Sequence, residues 1–227
     1  MSSLKHLSTL VLLLLLATSL TLAYDVDTDP VILYYWDHAR TAARLTNPDS
    51  SDICYSFTAR TYKRTVGEDG LIKKTDSVLQ EYFFCRGHLD SMNTLQGDAG
   101  RFRALDLSYP PVFENNYHLS LFPNDIGGPR LAIRIWSDST MGRKPDGLVV
   151  IDRNEYHPYS LYLYYPNKPD YQRFTRSFRF VMVDGFVFPD SVWEVATRLG
   201  VFYPECYRLE TGISNVRIRR AEVPRGD

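Results

Sequence analysis

Short runs that alternate apolar and polar residues restrict the fold of this sequence more than any other feature. In the run Leu131–Trp136, the apolar residues Leu131, Ile133 and Ile135 occupy alternate positions, and Arg134 lies between two of them. Successive side chains of a strand point to opposite faces, so this pattern predicts a strand with one face on a core. The same period of two runs through Phe174–Val183, where the aligned apolar residues are Phe174, Phe178, Phe180 and Met182.

Eight runs of strand character are separated by turn-forming sequences such as Pro166–Asp170. They are Val31–Trp36, Ile53–Tyr62, Phe102–Leu107, Tyr117–Phe122, Leu131–Trp136, Leu148–Asp152, Tyr159–Tyr165 and Phe174–Val183. Asp184-Gly185 predicts a tight hairpin, because both residues tolerate the positive φ of a type I′ turn. The spacing predicts a mainly β fold: an antiparallel β-sandwich or barrel-like domain with one or two short helices.

Three segments have helical features. Ser191–Leu199 begins with a capping Ser and a Glu three residues on, and a Gly follows it, so we expect a helix there. Trp36–Leu45 is a second short helix in this interpretation. Ser77–Cys85 carries both helix and strand signals. If Trp36–Leu45 and Ser77–Cys85 were both helical, the fold would be α+β instead, which is the alternative.

The first residues have the layout of a secretory signal peptide. Lys5 precedes an apolar run from Leu10 to Leu22, and small or short residues stand at Thr21 and Ala23. The run is shorter than the ~20 residues that a membrane-spanning helix needs. We therefore expect cleavage after Ala23, a secreted product, and one strand-rich domain over residues 24–227 without a membrane span.

The net charge and the cysteine content limit the classes of partner that we expect for this chain. The net charge is −1, which argues against a nucleic-acid binder, since such proteins carry a basic excess. The predicted mature chain has three cysteines, and export favours one disulfide. We favour Cys54–Cys85 because they are nearest in sequence. Cys206 would then be left over. It would be a free thiol if the protein is a monomer, or it would form an intermolecular disulfide if the protein is a cysteine-linked dimer.

No catalytic residue, metal site or cofactor motif is predicted. His38, His88, His118 and His157 lie outside any recognised catalytic or zinc string. Cys85 and His88 have the spacing of some zinc pairs, but no second pair completes the four ligands. Paired carboxylates for glycoside cleavage could only be chosen arbitrarily. The candidates are Asp106, Glu114, Asp138, Asp152 and Glu155.

Aromatic residues on the second faces of the predicted strands are the candidate ligand site. Tyr162 and Tyr164 oppose the leucines of Tyr159–Tyr165, and Trp136 opposes Ile133 and Ile135. Exposed rings stack on sugars or anchor protein partners at small entropic cost. The resulting hypothesis is a secreted, non-catalytic binding protein for a carbohydrate or protein ligand. The alternative is a secreted hydrolase acting on polysaccharide or nucleic acid, and a third is a cysteine-linked matrix component.

Overall fold

The computed structural model describes residues 29–102, 110–114, 117–122, 128–137, 144–200 and 204–220. Within these ranges the chain forms one antiparallel sheet of ten strands and one α-helix. The mainly β fold predicted from sequence is confirmed. The sandwich is wrong, because all ten strands belong to a single open sheet. The α+β alternative is also wrong, since Ser77–Cys85 is strand.

The helix α1 spans Pro30–Thr46. The strands are β1 (Ile53–Val66), β2 (Ile72–Cys85), β3 (His88–Gly97), β4 (His118–Leu121), β5 (Arg130–Trp136), β6 (Asp146–Asp152), β7 (Pro158–Tyr164), β8 (Tyr171–Val183), β9 (Phe186–Arg198) and β10 (Glu205–Arg220). Single 3-10 turns occupy Pro48–Ser50, Ala99–Arg101 and Pro111–Glu114.

The strand order is β3-β2-β1-β10-β9-β8-β7-β6-β5-β4. Every neighbouring pair is antiparallel, and the first strand pairs with the last along most of its length. At the turn between β8 and β9, Asp184 and Gly185 have φ angles of 49° and 83°. Val183 pairs with Phe186 across it, so the hairpin predicted from Asp184-Gly185 is confirmed.

A capped amphipathic sequence produces α1. The Asp29 side chain accepts a hydrogen bond from the Val31 amide at 2.8 Å, and Pro30 fits the first helical position because its missing N–H is not needed there. Its buried residues recur every three or four positions: Ile32, Trp36, Ala39 and Ala43. The strand predicted for Val31–Trp36 is therefore wrong, and the helix predicted for Trp36–Leu45 is confirmed as part of α1.

One face of the sheet packs on α1, and we call it the inner face. Trp36 shares a buried cluster with Ile133 of β5 and Val149 of β6, and its ring lies 5.0 Å from that of Phe113. The opposite side of the sheet is the outer face. A 17-residue helix is roughly 25 Å long, whereas ten strands span roughly 45 Å. One helix therefore covers only part of the inner face.

The segment Ser191–Leu199 corrects the clearest error of the sequence interpretation. It lies in β9 up to Arg198 instead of forming a helix, and it pairs with β8 on one side and β10 on the other. Val192, Glu194 and Ala196 are buried on the inner face. Two-sided pairing satisfies every backbone group of a central strand, which outweighs a local capping signal.

Cys54 and Cys85 are directly opposite each other on β1 and β2, and they form a disulfide. This is the pairing that the sequence analysis favoured. It occupies the sulfur of Cys85, so the zinc pair with His88 is not formed. Cys206 is a free, half-buried thiol, with its Sγ 3.6 Å from Thr197 Oγ1.

Two segments with sequence-based predictions are not covered by the described residues, or are covered only at one end. The predicted leader, Met1 to Ala23, and most of the predicted strand Phe102–Leu107 lie outside the described residues. Among the described residues, no helix is both long and apolar enough to cross a membrane.

Candidate binding cleft

A cleft lies on the inner face, beside a buried cluster separate from the one beneath α1. That second cluster consists of Phe174, Ala196 and Tyr207. The cleft has a volume of about 430 Å³, and we call it the inner cleft. Its aromatic lining residues are Phe102, Tyr171, Phe174 and Tyr207.

Four adjacent strands supply the floor of the inner cleft. Lys63 of β1 lies opposite Leu209 of β10. Leu209 in turn lies opposite Glu194 of β9, and Glu194 lies opposite Arg176 of β8. Paired residues of neighbouring strands point to the same face, so the register alone brings these side chains into one row.

A bulge in β8 adds a second aromatic ring to the cleft. Tyr171 pairs with Arg198 and Arg173 with Thr197, which leaves Gln172 as the extra residue. One extra residue shifts the alternation of side chains by one. Tyr171 and Phe174 therefore both line the inner cleft, with ring centroids 5.0 Å apart.

The floor is centred on a buried ion pair. The Nε and Nη2 atoms of Arg176 donate to Oε2 of Glu194 at 3.2 and 2.8 Å. The two side chains retain only 14% and 7% of their exposure. Tyr207 donates its hydroxyl proton to the other oxygen, Oε1, at 2.8 Å. Both carboxylate oxygens of Glu194 are thus engaged by protein donors, as a buried charge requires.

Tyr207 stays a proton donor over a wide pH range. Its pKa is raised above the ordinary value, first by burial, then by the hydrogen bond with Tyr171 and the negative charge of Glu194. The two phenol oxygens lie 3.3 Å apart. Burial and a nearby carboxylate both disfavour a phenolate, so the hydroxyl remains protonated and holds Glu194 in place.

Cations and rings alternate around the rim. Lys63 forms a 2.8 Å ion pair with Glu205, and its Nζ lies 5.1 Å from the centre of the Tyr207 ring. Lys168 Nζ lies 3.3 Å from the centre of the Phe174 ring. Arg198 is opposite Glu205 in the register, yet it has no ion pair with any described side chain. A positive charge at the rim is therefore left without a carboxylate of its own.

The chemistry of the inner cleft is that of a binding site. It offers aromatic walls, a polar floor whose hydrogen bonds are made within the protein, and a cationic rim. None of the described histidines lines it. In the part of the chain that the structure describes, no group of three His, Cys, Asp or Glu side chains is placed to hold a metal ion.

The three aromatic residues predicted as a ligand site lie on the outer face. Tyr162 and Tyr164 are 49% and 39% exposed. Trp136 is half-buried, with its ring stacked 5.5 Å from His118 and the guanidinium of Arg134 at 5.6 Å. Tyr162 and Tyr164 border one shallow depression, and Trp136 is not part of it.

Sequence reasoning missed Trp193, which lies on the same outer face. Ser177 of β8 is opposite both Tyr162 of β7 and Trp193 of β9. Trp193 is 37% exposed. Because Ser191–Leu199 was predicted to be a helix, Trp193 was not recognised as a residue of the outer face of a sheet.

The inner cleft was also missed, although one signal pointed to it. Arg176 stands between Phe174 and Phe178 in an otherwise apolar row of β8. A charged residue at a core-facing position needs a buried partner. That partner, Glu194, could not be recognised while its segment was interpreted as a helix.

The histidines considered for catalysis do not meet. His38 Nδ1 lies 2.8 Å from the backbone oxygen of Tyr34, one turn earlier in α1. His157 Nδ1 lies 3.2 Å from Glu155 Oε2. The others are separate, with His88 at the start of β3 and His118 at the start of β4.

The carboxylates considered for glycoside cleavage are not assembled either. Asp106, Asp138 and the side chain of Glu114 lie outside the described residues. Asp152 accepts hydrogen bonds from the backbone amides of Asn154 and Glu155 at 2.8 and 2.9 Å. Its role in the described structure is to hold a turn.

No family model and no curated protein matches the sequence. Several solved structures share a general likeness. A LolA superfamily protein from Nitrosomonas europaea has 11% identity and a TM-score of 0.37, over 85% of this chain and 94% of that one. A domain from Vibrio parahaemolyticus named for outer membrane lipoprotein sorting has 9% identity and a TM-score of 0.44, over 83% and 94%.

A third likeness is to the Pseudomonas aeruginosa MucA/MucB complex, with 11% identity and a TM-score of 0.28, over 82% of this chain and 100% of that one. With identities near 10% and TM-scores below 0.5, none of these likenesses assigns a family or a function to the chain.

Proposed function

We propose that this chain is an exported, non-catalytic binding protein whose inner cleft holds an amphipathic ligand with one anionic group. The observation that carries the proposal is the construction of the cleft. Its aromatic wall stands beside a polar floor whose charges are already neutralised within the protein. Export rests on the leader-like sequence from Met1 to Ala23.

The aromatic wall supports an apolar part of the ligand. A volume of about 430 Å³ falls in the range of small-molecule sites, roughly 300–1,000 Å³. Tyr171 and Leu209 present apolar surface to it, and Phe174, which is only 1% exposed, packs beneath Tyr171. Burying such surface against a ligand contributes about 25 cal/mol per Å².

The rim supports a single anionic group. Glu194 is neutralised by Arg176 and Glu205 by Lys63. Arg198 remains without an ion pair to a described side chain and faces the cleft. A guanidinium binds carboxylate, sulfate or phosphate oxygens through paired N–H donors, which gives orientation as well as affinity.

The floor argues for binding without catalysis. A general acid or base must exchange a proton with the substrate within hydrogen-bond reach. Both oxygens of Glu194 are already held, by Arg176 and Tyr207. The raised pKa of Tyr207 keeps its hydroxyl protonated near neutral pH, so no phenolate is present to act as a base. The floor is therefore a fixed support that positions a ligand.

Calorimetry with two anionic probes tests the proposal. Dodecanoate and 8-anilinonaphthalene-1-sulfonate should bind saturably to one site, and neutral decyl glucoside should bind about tenfold more weakly. Arg198→Ala should weaken both anions about tenfold. The matched control is Arg44→Ala, an exposed arginine of α1 that does not line the inner cleft, which should leave both affinities unchanged.

Two results would overturn the proposal. One is the absence of saturable binding of either anion up to about 1 mM. The other is equal affinity in Arg198→Ala and in the unmodified protein, because the anionic group would then not be held at the inner cleft.

A further inference from the structure

We infer that the outer face carries a second binding site, built on Tyr162, Tyr164 and Trp193, for an acidic polysaccharide. We call these three rings the aromatic platform. The site is separate from the inner cleft, because the sheet lies between them. It goes beyond the proposed function, which concerns only the inner cleft.

The register of three strands sets the geometry of the aromatic platform. Tyr162 and Tyr164 are two residues apart on β7, which places their Cα atoms about 7 Å apart. Tyr162 and Trp193 are both opposite Ser177, so they are two strands and about 10 Å apart. The residue opposite both is Ser177, whose side chain is short, and the two aromatic residues are 49% and 37% exposed.

The side chains beside the rings suit sugar hydroxyl groups. The shallow depression at Tyr162 and Tyr164 is also lined by Gln172, Arg173 and Thr197. An amide offers both a donor and an acceptor, as a sugar hydroxyl does. A sugar ring can therefore stack on a phenol ring while its rim hydroxyls reach these polar groups.

Two arginines give the site its preference for acidic ligands. Arg173 is opposite Thr197, and Arg208 is opposite Val195 on the next strand. Both arginines are exposed and have no ion pair with any described side chain. They lie on β8 and β10, the two strands that flank β9, so a sulfate or carboxylate group would be bound there.

The nearby acids do not cancel this charge. Glu210, beside Arg208 on the outer face, forms a 2.7 Å ion pair with Arg64. Asp146 is opposite Tyr164 on the other side of the platform and accepts a hydrogen bond from the Ser137 amide. Glu210, which is directly opposite Trp193, is thus neutralised by Arg64, and Asp146 lies across Tyr164 from the two arginines.

A polysaccharide fits these observations better than a nucleic acid does. Two arginines without an ion pair are few for a nucleic-acid surface, since a protein that binds duplex DNA commonly contacts about six to ten phosphates. The platform combines two flanking cations with three flat rings on a rigid sheet. The choice of a glycan also rests on the export proposed above, since an exported protein meets acidic glycans outside the cell.

Binding of defined oligosaccharides tests the inference. A heparin hexasaccharide should bind at least about tenfold more tightly than neutral cellohexaose. Tyr162→Ala, Trp193→Ala and Arg208→Ala should each weaken heparin binding about tenfold. Arg208→Lys, which keeps the charge but loses the paired donors, should lose less. Circular dichroism should show that each variant retains its strand content.

Two control variants separate this site from the inner cleft. Arg44→Ala, on the exposed side of α1, and Arg198→Ala, at the inner cleft, should bind heparin as the unmodified protein does. Conversely, Arg208→Ala should leave dodecanoate binding unchanged. A negative result for one of the two proposed sites therefore leaves the test of the other site unaffected.

Several outcomes would overturn the inference. They are heparin affinity unchanged in the platform variants, cellohexaose bound as tightly as heparin, and no binding of heparin up to about 1 mM. Tighter binding of a single-stranded oligonucleotide or of anionic phospholipid vesicles than of heparin would assign the platform to another class of partner, and would also overturn it.

Discussion

Arg176 and Glu194 face each other across β8 and β9 and form an ion pair with side-chain exposures of 14% and 7%. Their attraction offsets the cost of removing two charges from water only while both partners are present. The pair lies at the floor of the inner cleft. The register of the sheet also places Tyr207 there, and its hydroxyl donates to Glu194.

The first prediction concerns the stability that depends on this pair. Glu194→Gln removes the carboxylate that pairs with the buried charge of Arg176, so the free energy of unfolding should fall by about 3 kcal/mol. The double variant Arg176→Met/Glu194→Leu should lose much less, because no buried charge remains. Urea unfolding with an unchanged m-value would measure both.

An exposed ion pair provides the control for that experiment. Arg86 and Asp52 form a 2.7 Å pair with side-chain exposures of 50% and 67%. Arg86→Ala should cost less than about 1 kcal/mol, since water screens the pair. If Glu194→Gln costs no more than Arg86→Ala, the buried pair does not have the role assigned to it.

The second prediction concerns alkaline pH. Burial is the main cause of the raised pKa of both Tyr207 and Tyr55. A phenol with a raised pKa in the folded state stabilises the fold below pH ~10, and this stability is lost as pH rises above that value. We expect these two phenols to ionise together with unfolding. Tyr207→Phe should reduce the cooperative rise in absorbance at 295 nm. If the absorbance difference between the two proteins instead developed gradually while the protein was still folded, the prediction would be contradicted.

The third prediction concerns acid pH and the turn that follows β6. The amide of Glu155, and after it that of Asn154, lowers the pKa of Asp152 by donating to its carboxylate. A lowered pKa in the folded state stabilises the fold above the unfolded value of ~4, and this contribution is lost as pH falls below it. Asp152→Ala should cost about 1 kcal/mol at pH 7. The difference between the two proteins should shrink below pH ~4 in urea titrations; a constant difference at all pH values would show that the Asp152 carboxylate is not what stabilises the turn.

The fourth prediction concerns the cysteines. The disulfide Cys54–Cys85 closes a loop with a sequence separation of 31. In the chain-entropy model its removal, as Cys54→Ser/Cys85→Ser, should cost roughly 3–4 kcal/mol. One thiol, that of Cys206, should react in denaturant before reduction and three after it. Disulfide mapping that finds Cys206 bridged to Cys54 or Cys85 would contradict this pairing. A thiol-sensitive dimer linked through Cys206 would instead support the matrix hypothesis.

The fifth prediction concerns the leader. If the signal peptide is cut after Ala23, the product in the culture medium begins at Tyr24. Intact mass spectrometry measures this directly. A secreted product that retains Met1, or a product found only in the cell, would contradict export by this leader.

The sequence predicted those strands whose alternation was clear. In β5, Leu131, Ile133 and Ile135 are buried as their parity indicated. The segment Ser191–Leu199 was misinterpreted because Val192, Val195, Ala196 and Leu199 also satisfy a helical spacing. Neighbouring strands decide such a case, and local pattern does not contain them.

The site was harder to predict than the fold. Arg176 and Glu194 are 18 residues apart and meet only because β8 and β9 form a hairpin in one particular register. Lys63 and Glu205 are 142 residues apart. No local rule brings such residues together. The exposed rings of Tyr162 and Tyr164 were predictable, because the alternation within a single strand was enough to place them.

The pairing of β1 with β10 has a consequence for biogenesis. Thr61 and Thr211 share a 3.0 Å hydrogen bond although 150 residues separate them. The edge of β1 that pairs with β10 has no neighbour until β10 is synthesised. Most of the chain must therefore emerge from the ribosome before these two strands can pair. Contacts over such sequence distances slow folding. Until then β1 presents an unpaired edge that is prone to aggregation. A chaperone that shields this edge during synthesis should therefore raise the yield of the native protein.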